Sequence, residues 1–218
     1  MPRPIRIDFV SDIACPWCAV GLSSLLAAIG RAGDAAPVDL HFQPFELNPD
    51  MPPEGRNRLD YFMDKYGLSR EQALARWDTV RERAAEAGFA MRMDETTRSV
   101  NTFDAHRLLH WADLEGRQVP LKRALLRAYF SDGEDVSDHA VLARLAGEAG
   151  LDRDMAARML AEGSFAAEVR QREQHYMARG VNSVPTIVFD DRSAIMGAQS
   201  ADVFERALRQ LAAERAAV

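Results

Sequence analysis

Apolar residues recur along this chain with two different periods. Ile5, Ile7, Phe9 and Val10 form a short β-branched run that stops at Ser11 and Asp12, which predicts a buried strand followed by a turn. Beyond Cys15 and Pro16 the spacing becomes helical, with Val20, Leu22, Leu25, Leu26 and Ile29 on one face and Gly30 and Gly33 closing the segment. Pro16 suits the first turn of that helix, where its missing N–H would have had no partner. Val38, Leu40 and Phe42 then alternate with Asp39, His41 and Gln43, the period of a half-buried strand. The opening is therefore β-α-β, and such a crossover implies a parallel pair.

From about Arg56 to Gly180 the pattern is helical, punctuated by Gly67, Gly88, Gly116, Gly133, Gly150 and Gly163, and no strand is expected there. Ser69 and Gln72 have the spacing of a capping box opening a helix to about Glu86, and Asp138 or Ser137 can cap the segment carrying Val141, Leu142 and Leu145. Strand character returns at Thr186-Ile187-Val188-Phe189, with Asp190-Asp191-Arg192 as a hairpin turn and Ala194-Ile195-Met196 as the returning strand, ended by Gly197. Ser200 caps a last amphipathic helix with Val203, Phe204, Leu208 and Leu211 on one face. Neither strand-bearing half can close a core alone. The order predicts an α/β protein with one mixed sheet, built from residues 1–55 and 181–218, and an inserted α-helical domain over residues 56–180.

Composition adds exclusions. The chain has 218 residues, 47% apolar and 28% charged, the balance of an ordinary globular protein. Its 27 basic and 33 acidic residues give a net charge of −6, which offers no footprint for nucleic acid. No apolar run approaches the roughly 18 residues of a membrane span, so no membrane partner is expected. Arg3 and Arg6 precede apolar residues, but Asp8 and Asp12 interrupt any signal-peptide core, and a cytoplasmic location is expected. Oligomeric state leaves no mark in the pattern.

Only two cysteines occur, Cys15 and Cys18, and they form the motif Cys15-Pro16-Trp17-Cys18 at the predicted helix start. At that spacing the sulfurs lie one turn apart and can close a small disulfide. The first faces the free N–H groups and the positive end of the helix, where a thiolate is favoured over the thiol. Cys15 is therefore the candidate nucleophile, and Cys18, one turn further in, the candidate resolving thiol. A zinc site would need two further ligands drawn from His41, His106, His110, His139 and His175; His106 and His110 share a helical face, but their run lacks the glutamate of a zinc-protease helix. Two inert core cysteines fit less well with Pro and Trp between them. No metal is expected. Ser183-Val184-Pro185-Thr186 is the second signal: Pro185 either opens a strand in the trans form or is cis, which would turn the Val184 backbone outward as an edge for an extended peptide or glutathione.

Together these stretches resemble the DsbA-type branch of the thioredoxin superfamily, most closely its FrnE-like cytoplasmic proteins. The likeness extends to Phe45-Glu46-Leu47-Asn48-Pro49, to Asn101 through Arg107, to Tyr129-Phe130 before an acidic turn, and to Gly180 through Gln199. It implies a thioredoxin fold with a helical insertion, dithiol-disulfide exchange by Cys15 and Cys18, Pro185 as a cis-proline beside them, and Pro16, Trp17, Val184 and Asn48 as substrate contacts. No cofactor is implied beyond the redox-active sulfur pair. The partners implied are disulfide-containing proteins or small molecules, with glutathione as a candidate thiol. Trp17 stands where periplasmic DsbA proteins have a histidine, which implies a weaker oxidant, and the second cysteine pair of some FrnE proteins is lacking. A couple near −120 mV would be held almost wholly reduced at a cytosolic poise of roughly −220 to −320 mV, so reduction or isomerisation of disulfides is expected over oxidation.

Two other readings compete. Kappa-class glutathione transferases and hydroxychromene-carboxylate isomerases resemble the same fold, typically with serine at the Cys15 position, and Asn48, Val184, Ser200 and Asp202 fall where such relatives contact glutathione. A non-enzymatic holdase could use Met51, Met63, Met91, Met93, Met155, Met159 and Met177 as an adaptable apolar cradle, although core packing accounts for such residues as well.

Overall fold

The computed structural model describes residues 3–216. Strands β1 (Ile5–Ser11) and β2 (Val38–Pro44) flank helix α1 (Pro16–Ala32) and pair in parallel, from Ile5 opposite Val38 to Ser11 opposite Pro44. Ile5, Ile7, Phe9 and Val10 are all essentially inaccessible because β1 is a central strand covered on both faces. Helix α1 runs through Gly30 and ends at Gly33, whose φ of 51° leaves the helical region.

The helical block follows: β3 (Arg56–Asn57), α2 (Arg58–Tyr66), α3 (Arg70–Glu86), β4 (Arg98–Ser99), α4 (Phe103–Leu114), α5 (Gln118–Arg127), α6 (His139–Glu148), α7 (Arg153–Ala161) and α8 (Ala166–Ala178). The capping box of Ser69 and Gln72 is formed, and Asp138 caps α6 through the amides of Ala140 and Val141. The expectation of no strand in this block needs correction. β3 and β4 pair antiparallel, Arg56 opposite Ser99, in a two-residue ladder too short to show any period in sequence. Gly55 makes the approach feasible: its φ is 65°, and a Cβ there would sit 2.5 Å from the Ser99 carbonyl oxygen. Helix α5 continues into a π-helical turn at Ala128–Asp132 that buries Tyr129 and Phe130.

Strands β5 (Thr186–Phe189) and β6 (Ser193–Met196) return as a hairpin through Asp190-Asp191-Arg192, with Asp190 and Asp191 both at positive φ and Arg192 N donating to Phe189 O at 3.0 Å. β5 pairs antiparallel with β1, giving the order β2-β1-β5-β6, and α9 (Ala201–Ala216) packs along α1 through Phe204 and Leu208. One continuous cluster of buried side chains joins Ile7, Phe9 and Leu22 of the sheet layer to Trp77, Leu108 and Leu125 of the block. Gln118 ties the two covalently distant parts together: its amide oxygen accepts from Phe42 N at 2.7 Å and its amide nitrogen donates to Phe42 O at 3.0 Å, so a side chain completes the open edge of β2.

Candidate active site

The chain leaves β1 at Ser11, turns through Asp12-Ile13-Ala14, and enters α1 with Cys15 as its N-cap residue. The Cys15 side chain makes no capping bond, which leaves the sulfur available. Cys15 is 4% exposed and Cys18 is fully buried. Only the first sulfur borders the groove above, and both cysteines are free thiols.

The turn before Cys15 is held by Asp12. This carboxylate is buried, and it accepts from Ala14 N at 3.2 Å and Leu47 N at 2.7 Å, while His106 Nε2 lies 3.5 Å from Oδ1. Burial pushes the Asp12 carboxyl up, but His106 and the Leu47 amide outweigh it, and its pKa falls below the usual carboxylate value. Cys18 shows the opposite balance. Burial and the neighbouring Cys15 thiol raise its pKa well above that of a free thiol, with Lys122 of α5 opposing them. Lys122 is itself fully buried, and its Nζ has no hydrogen-bond partner among the described residues and lies 5.6 Å from the centroid of the Phe42 ring. Burial brings that ammonium down to about 8 against the pull of Cys18, Asp12 and Cys15.

Val184-Pro185 is a cis peptide bond, and the Cys15 thiol donates to Val184 O at 3.7 Å. Pro185 O accepts from Gly197 N at 2.8 Å, which ties the residue before β5 to the residue after β6. Gly21 in α1 makes room for this arrangement, since a Cβ there would lie 3.2 Å from Pro185 Cγ.

Above Cys15 is a groove of about 440 Å³ between the start of α1 and helices α2 and α3. Pro16, Trp17, Val184 and Asn48, the contacts expected from sequence, all line it. Asn48 Oδ1 accepts from Tyr61 Oη and Lys65 Nζ, both at 2.7 Å, so its orientation is set by α2. Ser200 and Asp202 do not border the groove; Ser200 Oγ accepts from Val203 N at the start of α9, and Asp202 pairs with Arg31. The methionines divide likewise: Met93 lines the groove, Met51 and Met159 are buried, and Met155 and Met177 face solvent.

Sequence reasoning missed Asp12, Lys122 and Tyr66 as neighbours of the sulfurs, and Arg58 as part of the groove lining. Asp12 could have been singled out by its position three residues before Cys15; Lys122 carries no local signal at all. The histidines are dispersed. His41 sits between Asp39 and Asp113, His110 packs on Phe165, and His139 pairs with Asp104. Among the described residues no group of His, Cys, Asp and Glu gathers to hold a metal ion, and no helix is long and apolar enough to cross a membrane.

Comparison with known proteins agrees with this geometry. The probable DsbA oxidoreductase SCO1869 of Streptomyces coelicolor is 37% identical and has a TM-score of 0.87, with 96% of this chain and 91% of that one covered. A 2-hydroxychromene-2-carboxylate isomerase shares the fold at 15% identity and a TM-score of 0.72, over 97% and 98% of the two chains. The cytosolic disulfide reductase DsbM of Pseudomonas aeruginosa, solved with GSH, shares it at 16% identity and a TM-score of 0.63, over 98% and 100%. The family described as DSBA-like thioredoxin domain matches residues 6–209, nearly the whole chain, and the chain belongs to the DSBA-like thioredoxin domain family.

Proposed function

We propose that this protein is a dithiol-disulfide oxidoreductase that reduces or isomerises disulfides in the cytoplasm, in the manner of the FrnE-like subgroup. The observation that carries the reading is the asymmetry of the two sulfurs. Cys15 borders a groove while Cys18, one turn away, is sealed beneath it beside a buried ammonium. Cys15 thiolate attacks a substrate S–S bond, forming a mixed disulfide and releasing one substrate thiolate. Cys18, as thiolate, then attacks Cys15 Sγ, closing the Cys15–Cys18 disulfide and releasing the second. The substrate gains two electrons and the protein loses two, and two molecules of a small thiol of the glutathione class, leaving as their own disulfide, return the protein to its dithiol form.

In this reading residues 1–55 and 181–218 supply the sulfurs and Pro185, and residues 56–180 supply the far wall of the groove. Pro16, Trp17, Asn48 and the Val184 backbone contact the substrate. The likeness to a cytosolic reductase solved with GSH supports both the location and the thiol partner. A glutathione-dependent isomerase or transferase is the second reading, favoured by the fold shared with 2-hydroxychromene-2-carboxylate isomerase and by the presence of Asn48 and Val184 in the groove.

The deciding measurement is the reduction potential of the Cys15–Cys18 couple in a glutathione buffer, with each species identified by mass. A reversible internal disulfide between about −180 and −270 mV is expected. One stable glutathione per chain without an internal disulfide would replace this reading with the second.

A further inference from the structure

The groove over Cys15 has a charge character opposite to that of the chain. The sequence carries a net charge of −6, yet the groove is lined by Arg58, Lys65 and Arg76 and by no aspartate or glutamate. Arg58, only 6% exposed, lies in the floor with its guanidinium carbon 4.3 Å from the Tyr129 ring centroid and 5.2 Å from that of Phe130. Its Nη2 donates to Arg98 O at 3.1 Å, whereas Nη1 has no hydrogen-bond partner among the described residues. Lys65 stands on the α2 wall, its Nζ donating to Leu47 O at 2.8 Å and to Asn48 Oδ1. Arg76 of α3 is exposed at the rim near Tyr66. Between these cations the surface is apolar and aromatic, formed by Trp17, Phe62, Trp77 and Val80.

Among the described residues Arg58 forms no ion pair, although it also borders a second cavity lined by Glu134 and Asp135, and the two ring faces offset only part of the cost of burying its charge. The Cys15 thiolate is one anion such a field would favour. If it were the only one, attack on every disulfide would quicken alike. Lys65 and Arg76, however, belong to the wall contributed by α2 and α3, where the body of a substrate would lie while its sulfur meets Cys15. The volume of about 440 Å³ suits a small molecule better than a folded protein loop.

Resting on the redox reading above, we propose that this groove selects small disulfides and thiols that carry a carboxylate on an apolar or aromatic body, with Arg76 and Lys65 meeting the carboxylate and Arg58 supplying positive potential beneath it. The same cations cancel the repulsion between an anionic disulfide and the attacking thiolate. An acidic peptide offers the same carboxylate, but its bulk would stay outside the groove.

The test mixes reduced protein, in single turnover, with matched disulfides of different charge: 5,5′-dithiobis(2-nitrobenzoate) against neutral 4,4′-dithiodipyridine, and 3,3′-dithiodipropionate against cationic cystamine. Each rate is divided by that of 2-mercaptoethanol with the same disulfide, which removes intrinsic reactivity. The normalised rates should favour the anions by about tenfold, the scale of one charge-assisted hydrogen bond in a half-open site. The preference should shrink with added salt and reverse towards cystamine in Arg76→Glu, an exposed position where folding is not at risk. A disulfide-linked acidic peptide run alongside should show less preference than the aryl carboxylate; a larger one would overturn the assignment to small molecules. Equal normalised rates for anions and cations, or a preference untouched by Arg76→Glu, would overturn the inference while leaving the redox reading intact. If no disulfide reacts, the redox reading fails, and binding of 2-(methylthio)benzoate measured by tryptophan fluorescence decides the groove alone: saturable binding supports a carboxylate site, and its absence removes it.

Discussion

Lys122 and Cys18 are both fully buried and lie within electrostatic reach of each other, although one comes from a helix of the helical block and the other from the first helix of the sheet layer. The pairing has a mechanistic consequence. Cys18 must lose its proton to attack the mixed disulfide, and burial alone would make that difficult; a neighbouring ammonium favours the thiolate. Lys122→Met should therefore slow resolution by about tenfold and let the mixed disulfide accumulate, as read by acid quenching and mass analysis.

The same residue couples stability to pH. The Lys122 ammonium has its pKa lowered from 10.5 to about 8 in the folded protein, so the unfolded chain binds the extra proton between those values. The cost of burying the charge is fully present below pH 8 and disappears as pH rises towards 10.5. Reduced Lys122→Met is expected to be more stable than wild type near neutrality by up to about 3 kcal/mol. That advantage should narrow steadily above pH 8 in urea unfolding curves; an advantage constant from pH 7 to 10 would mean that the buried amine keeps its proton throughout and that its pKa is not lowered by folding.

Alkylation should separate the two sulfurs. Cys15 borders the groove and Cys18 is inaccessible, so iodoacetamide at neutral pH should label the native protein once, at Cys15. Peptide mapping should find Cys18 labelled only after denaturation. Equal labelling of both would remove the assigned roles.

Asp12 holds the turn that presents Cys15. Asp12→Ala leaves the amides of Ala14 and Leu47 without their acceptor in a buried place, and a loss of about 2–4 kcal/mol is expected by chemical denaturation. Because the folded-state pKa of Asp12 is depressed, its contribution is present above the ordinary carboxylate value and is lost as pH falls through the lower, folded one. Wild type should consequently show acid destabilisation below about pH 4 that is weaker in Asp12→Ala.

Gly21 is a packing requirement of the site. The Cβ of any larger residue would meet Pro185 Cγ at 3.2 Å and the Ala198 backbone at 3.5 Å. Gly21→Val should destabilise by about 1–3 kcal/mol through overpacking and should lower exchange rates with peptide disulfides, since the displaced loop carries the Val184 carbonyl that faces Cys15. Thermal unfolding and single-turnover kinetics check the two effects separately.

What the sequence determined by itself is local. The periods at Ile5–Val10 and Val38–Gln43, the helix beginning at Pro16, the Ser69 capping box and the Asp190-Asp191 turn all depend on neighbours a few residues apart, and each appears as read. The two cysteines were legible for the same reason: one helical turn holds their whole relationship. The short ladder of β3 and β4 was not, because two residues carry no periodicity and Arg56 meets Ser99 only after two helices intervene. Only the tertiary structure decided what surrounds the sulfurs. Lys122 has an ordinary surface residue's sequence context, and packing of α5 against the sheet layer is what buries its ammonium beside Cys18. Arg58, Lys65 and Arg76 likewise become one positive wall only when α2 and α3 fold over Cys15, because electrostatic environment depends on distance in space and burial, neither of which a one-dimensional pattern records.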